Sequence, residues 1–246
     1  RGEFSAGAIA LKSWKKSQYL RASRWLGLYD GLTWQASSDL EKQDILRRLP
    51  HIDRSRVKLA TNLAAAVVPI PEGTSARKAG EPLRICFLSR ISPMKNLDFA
   101  LTALAHTRAD VVLTIHGPRE DLVYWAQCEA VRRTLPSNVQ VSYAGEVEHQ
   151  DVARTLARHD LFLLPSRGEN YGHVIQEALT AGLPVLISDQ TPWRDLEQHG
   201  VGWALPLDDP SAFARMIDAV AAWPPEQAQA VRERARAYAR DKANDA

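Results

Sequence analysis

The 246 residues are 45% hydrophobic and 24% charged, which excludes a disordered, collagenous or disulfide-scaffold chain. No run of about 18 apolar residues and no signal-peptide pattern is visible, so nothing is built to span a bilayer. Charge is uneven: residues 1–60 carry 12 Lys and Arg against 6 Asp and Glu, while the other 186 carry 19 against 23. A basic head on a mildly acidic body suits an anionic surface, polymer or lipid, and equally a solvated helix face.

Residues 1–63 predict a basic helix over 11–27, a strand over 33–37, a helix opened by the capping box of Ser38 with Glu41, and a strand over 57–61. Two strands cannot cover their own faces, so the segment reads as the remnant of a larger N-terminal domain. The basic helix interleaves Trp14, Trp25 and several leucines with Lys and Arg. That pattern fits the interface of an anionic membrane or packing against that domain; no nucleic-acid module accompanies it. Residues 64–82, with three prolines and two glycines, read as a linker.

From residue 83 to 246 the pattern is regular. Apolar, β-rich runs at 83–89, 111–116, 139–144, 161–165, 184–188 and 202–207 alternate with helical stretches near 96–107, 120–135, 149–159, 171–181 and 193–199. Helices near 210–222 and 225–241 close the chain. Strands separated by crossover helices require a doubly wound α/β domain with a six-stranded parallel sheet, and ligands bind such sheets beyond the carboxyl ends of the strands. Cys86 and Cys128 have no metal-type spacing and read as reduced, packed thiols of a cytosolic protein.

Walker-type and dinucleotide glycine loops are missing, as are D-x-D, H-E-x-x-H and G-x-S-x-G. After the first run, S-R-I-S-P-M-K-N puts Arg90 and Lys95 at the mouth of the sheet. A guanidinium fork and a point charge there suit a diphosphate; taken alone, the pair reads more simply as an exposed loop with two ordinary charges. After 161–165, P-S-R-G-E-N-Y-G-H-V-I-Q-E-A-L brackets a turn with Gly168 and Gly172. The first N–H groups of the next helix, around Tyr171, Gly172 and His173, form an anion site by geometry. Glu169 in the loop and Glu177 on the helix could each grip a diol, or serve the helix dipole and the solvent. His173 reads equally as a sugar or phosphate ligand and as a local cap. Trp193 reads as a wall over the sugar or a core anchor.

Arg90 with Lys95, then Glu169 with Glu177, followed by A-L-T-A-G-L-P-V-L-I-S, resemble the donor-binding half of glycosyltransferase family 4. That family comprises retaining enzymes with two Rossmann-like domains facing across a cleft, the GT-B architecture. The opening R-G-E-F-S-A-G-A-I-A-L-K-S-W-K-K looks like the end of the acceptor domain in bacterial members that assemble lipopolysaccharide or exopolysaccharide. The resemblance implies that Arg90 and Lys95 neutralise the donor diphosphate in place of a metal, and that no other cofactor is needed. It implies that Glu177 holds the ribose hydroxyls and Glu169 the transferred sugar, with the backbone of Asn170, Tyr171, Gly172 and His173 under the distal phosphate and sugar. Gly145, Glu146 and Val147 would meet the base, with His116 and Gly117 lining the same mouth. Ser89, where a Gly is usual, and Asn170, often Gly, are departures that bear on donor identity.

The partners so implied are a nucleotide-sugar donor, a saccharide or lipid-linked acceptor and a peripheral anionic membrane at the inner face of the cell membrane, with no nucleic acid. A nucleotide-sugar binding module without transfer activity, or another GT-B enzyme such as a nucleotide-sugar epimerase or a phosphorylase, is the alternative reading. The chain as given, holding mainly the donor half, is expected to be inactive alone.

Overall fold

A computed structural model describes residues 13–29, 31–60, 77–78 and 80–244. Most of the expected linker 64–82, and the opening segment before Ser13, lie outside the described residues. The N-terminal unit holds α1 (Ser13–Trp25), β1 (Trp34–Ala36), α2 (Asp39–Arg48) and β2 (Val57–Leu59). β1 and β2 pair in parallel, Trp34 opposite Val57, over a small core of Ala36, Ile45, Leu49 and Val57. Ser38 caps α2 by accepting from the Glu41 amide at 3.2 Å, while the Glu41 carboxylate reaches back to the Ser37 amide and hydroxyl. The capping box is therefore formed, with Glu41 bonding one residue further back than expected. On α1, Trp14 and Trp25 are exposed.

The main unit contains β3 (Leu83–Leu88), α3 (Leu97–Leu104), β4 (Val111–His116), α4 (Leu122–Arg132), β5 (Val139–Gly145), α5 (Val152–Ala157), β6 (Leu161–Leu164), α6 (His173–Thr180), β7 (Val185–Ser188), β8 (Gly202–Leu205), α7 (Pro210–Ala221) and α8 (Pro225–Asn244). All six strands from β3 to β8 pair in parallel, in the order β5-β4-β3-β6-β7-β8. β6 and β7 are buried along their whole length, as continuous apolar runs covered on both faces should be, whereas β5 at the edge alternates toward solvent. Phe87, Phe162 and Phe213 fill the core, with α3 against α7 and α6 against α8. Burying side chains such as Ile175 and Leu179 of α6 stabilises the fold by about 1.5–3 kcal/mol each.

Some boundaries differ from the sequence reading. Gly172 sits at φ 81°, outside helical space, so α6 begins at His173 rather than 171. The stretch expected over 149–159 opens as a 3₁₀ turn, His149–Asp151, before α5. Residues 193–199 do not form a helix: the chain turns only from Leu196, where the Val201 amide returns to Leu196 O and Gly200, at φ 61°, ends the excursion.

Candidate functional site

The strand order places β3 and β6 side by side, with the chain running outward from them in opposite directions. That is the topological switch point, where the loops leaving two adjacent strands diverge and open a crevice. The β3–α3 loop carries Arg90 and Lys95; the β6–α6 loop carries Glu169 to Gly172 and leads into His173. Across the crevice the Lys95 Nζ lies 2.6 Å from the Glu169 Oε1, with side chains only 13% and 11% exposed. The two motifs, 74 residues apart in sequence, are thus in direct contact.

A residue that sequence reasoning missed binds the two loops together. Asn96 is buried at φ 61° and opens α3. Its amide donates to Pro165 O at 3.0 Å and its carbonyl accepts from Arg167 Nε at 3.0 Å. The Arg167 amide in turn donates to Met94 O at 2.8 Å. Asn is one of the few side chains that tolerate this left-handed backbone, and its place just after Lys95 was the available signal. On the other side, the Glu169 amide donates to Gln190 O at 3.1 Å, and the Ser188 hydroxyl donates to Ser166 O. The acidic loop is held from both flanks.

Arg90 stands at the exposed edge, its Nη1 donating to both carboxylate oxygens of Glu120 at 2.9 and 3.2 Å. Gly117 passes so close to the β3–α3 loop that a Cβ there would lie 2.0 Å from Ser89 O, at φ 127°, so only glycine fits. Its amide donates to Gly145 O at 2.9 Å, which joins the ends of β4 and β5. Gly145 is itself at φ 83°, turning the chain into an exposed Glu146 and a half-buried Val147. His116 is a different matter: its ring is buried and faces His159, so it is not brought to the mouth.

At the head of α6, Gly172 provides no side-chain cap; the Ile175 amide bonds Gly172 O at 2.8 Å, and the His173 and Val174 amides before it are free of a side-chain cap, as an anion site at a helix start requires. Asn170 is half-buried beside them, and His173 is exposed, its ring 4.9 Å from that of Tyr171. The Tyr171 hydroxyl donates to Gln176 Oε1 at 2.7 Å. Trp193 is buried against Tyr171 and Tyr238 and donates from Nε1 to Tyr171 O at 2.5 Å, so it anchors the loop from beneath. One turn into α6, Glu177 is half-buried; its backbone carbonyl accepts from the Ala181 amide at 2.9 Å, while its carboxylate pairs with no described residue. Desolvation raises its pKa, with His149 opposing. A carboxylate held this way can accept from hydroxyl groups. A cavity of about 630 Å³ adjoins the crevice, lined by Ser38 and Gln43 on one side and Tyr171, Thr191, Trp193 and Lys242 on the other; of the residues singled out in the sequence it takes in Tyr171 and Trp193.

A family model described as "Glycosyl transferases group 1" matches residues 74–238. The chain belongs to this family. Over 144 residues it is 33% identical to a GDP-mannose-dependent alpha-mannosyltransferase of Mycobacterium tuberculosis, covering 56% of this chain and 35% of that protein. Over 195 residues it is 28% identical to a phosphatidyl-myo-inositol mannosyltransferase of Mycobacterium leprae, covering 72% and 50%. The chain therefore spans about a third to a half of the curated relatives it matches. Among solved structures, Anabaena HepE in complex with UDP and glucose superposes with a TM-score of 0.73 at 20% identity, over 90% of this chain and 62% of that one. WaaG, a glycosyltransferase involved in lipopolysaccharide biosynthesis, does so with a TM-score of 0.62 at 19% identity, over 85% and 58%. These likenesses establish the GT-B type of α/β fold, and the group 1 family places the chain among glycosyltransferases. Among the described residues no helix is long and apolar enough to cross a membrane.

Proposed function

We propose that this chain binds the nucleoside diphosphate of a nucleotide sugar across the β3/β6 crevice, and that the whole protein transfers the sugar to a saccharide or lipid-linked acceptor with retention of configuration. The observation that carries this reading is the Lys95–Glu169 pair at 2.6 Å over the switch point. It sets a cation for phosphate beside a carboxylate for sugar hydroxyls. Breaking the bond to the anomeric carbon builds negative charge on the leaving diphosphate. Arg90, Lys95 and the amides at the head of α6 meet that charge as preorganised donors. The diphosphate thus finds its counter-charges in the protein, and the reading assigns it no metal. Glu177 lies where it can accept from the two ribose hydroxyls, and the backbone of Gly145, Glu146 and Val147 where it can meet the base. Retention follows from the family resemblance: front-face attack assisted by the leaving phosphate, with no covalent enzyme nucleophile. Residues 83–246 form the donor-binding unit, and residues 1–63 belong with the acceptor side.

The names of similar proteins support a nucleoside diphosphate donor, GDP-mannose for one relative and UDP for HepE. Main-chain recognition of the base leaves its identity to experiment. Anomeric NMR of the product formed by the whole protein with a panel of UDP and GDP sugars should show a glycoside with the donor's configuration. An inverted product rejects retention; an epimerised donor rejects transfer.

Glu177→Ala should weaken a ribonucleoside diphosphate by about tenfold, the loss of a charged hydrogen bond of roughly 1.5 kcal/mol. The matching 2′,3′-dideoxynucleotide should bind the variant and the wild type alike. Calorimetric titration of the four combinations decides it, and equal losses remove Glu177 from the ribose.

A further inference from the structure

On the sheet face opposite Ile85 and Phe87, the parallel register sets Cys86 level with Thr114 and Leu88 level with His116, so Cys86 and His116 project to the same side of neighbouring strands. His159, between α5 and β6, reaches over them. The Cys86 Sγ and one ring nitrogen from each histidine all lie within 4.8 Å of one another, and all three residues are buried. His116 is only 7% exposed, yet neither of its ring nitrogens has a hydrogen-bond partner among the described residues. A buried imidazole left without any partner costs about 1–3 kcal/mol, so the arrangement asks for a ligand. His159 supplies the complementary detail. Its Nδ1 bonds to Thr155 O at 2.9 Å, which puts the proton on Nδ1 and leaves Nε2 as a lone pair. Metal-binding histidines are oriented in this way, by donation from the far ring nitrogen to a backbone carbonyl.

We propose that Cys86, His116 and His159 bind a single borderline-soft divalent cation, zinc in the first place. One thiolate and two neutral imidazoles are a zinc ligand set, with a fourth position left for a small exogenous ligand. Tetrahedral zinc holds one sulfur and two nitrogens about 3.3–3.6 Å apart, so the site closes by side-chain rotation around the ion. On binding, the Cys86 thiol gives up its proton to solvent and the sulfur bonds the metal; no electron is transferred. Coordination takes the neutral form of both histidines and the thiolate of Cys86, so the ion itself drives thiol deprotonation. The site is distinct from the diphosphate crevice. It underlies the junction of His116 with Gly117, whose Cα faces the Ser89 carbonyl, and so braces the strand end from which Arg90 departs.

The test uses the full chain produced in zinc-supplemented medium, and the same chain stripped of metal and refolded with cobalt(II) as a spectroscopic stand-in. The proposal expects about one metal per chain by plasma emission, a thiolate-to-cobalt charge-transfer band, and a thermal midpoint raised by about 5–10 °C with saturating zinc. The band should vanish in Cys86→Ser and persist in Cys128→Ser, and His116→Asn should weaken cobalt at least about tenfold. Metal content no higher than trace in the wild type overturns the proposal without reference to any variant. A cobalt band that survives in folded Cys86→Ser does so too.

Discussion

Replacing Lys95 with alanine should weaken nucleoside diphosphate binding by about 10- to 150-fold, the loss of a charge-assisted contact of roughly 1.5–3 kcal/mol. The unphosphorylated nucleoside should bind as before, because the Nζ sits at the mouth of β3 beside Glu169, away from the β5 end where the base would lie. The truncation also leaves Glu169, 11% exposed, without its counter-charge. Repulsion between that carboxylate and an incoming phosphate adds to the loss. In the whole protein the same change should lower the transfer rate by about 10²–10³-fold, the usual cost of removing one donor to developing charge. Calorimetry with the diphosphate and the nucleoside, on wild type and variant, gives the answer. Equal losses for both ligands would reduce Lys95 to a structural role.

Asp160→Asn should destabilise the fold by about 3–5 kcal/mol, since it removes the shared anion of a buried ion cluster. Asp160 precedes β6 and accepts from Arg84 through Nε and Nη2, both at 2.8 Å, and from the Arg84 amide at 3.0 Å. Arg232 of α8 approaches the same carboxylate at 3.3 Å and also donates to His159 O. Its buried guanidinium would be left facing a neutral amide. The loss corresponds to a fall of about 6–20 °C in thermal midpoint for a domain of this size. Burial alone would raise the Asp160 pKa, but the hydrogen bonds and charge of Arg84 outweigh it and hold the carboxyl below its ordinary 3.8. A carboxyl whose folded pKa is depressed stabilises fully above its unfolded value, and the contribution fades as pH falls through the folded value. Wild type should therefore lose stability steeply below about pH 4, where Asp160→Asn should change less. Midpoints measured from pH 2 to 7 test this, and parallel curves would show that the cluster contributes nothing.

The parallel sheet was legible because β6 and β7 are unbroken apolar runs and the crossover helices are amphipathic, a pattern that admits few topologies. Lys95 and Glu169 could be named from their places just after strands. Their direct contact needed the strand order, which no local pattern encodes. Boundaries failed where a single backbone angle decides, as at Gly172 and Gly200. Asn96 escaped notice because its role is to hold two loops together through buried hydrogen bonds, and its place just after Lys95 marks it only weakly in the sequence. Cys86, His116 and His159 lie on three segments far apart in the chain, so in sequence alone Cys86 reads as a packed thiol, His116 falls at the donor mouth and His159 is not singled out. The Asp160 cluster was hidden for the same reason: Arg84, Asp160 and Arg232 meet only once α8 has folded back to the starts of the central strands β3 and β6.

Titration calorimetry of the chain with UDP, GDP and their sugars, in chelator and free of added divalent cation, addresses the central claim most directly. The site described here predicts saturable binding of at least one nucleoside diphosphate under those conditions, weakened in Lys95→Ala. Binding that is lost in chelator and restored only by magnesium or manganese would contradict it.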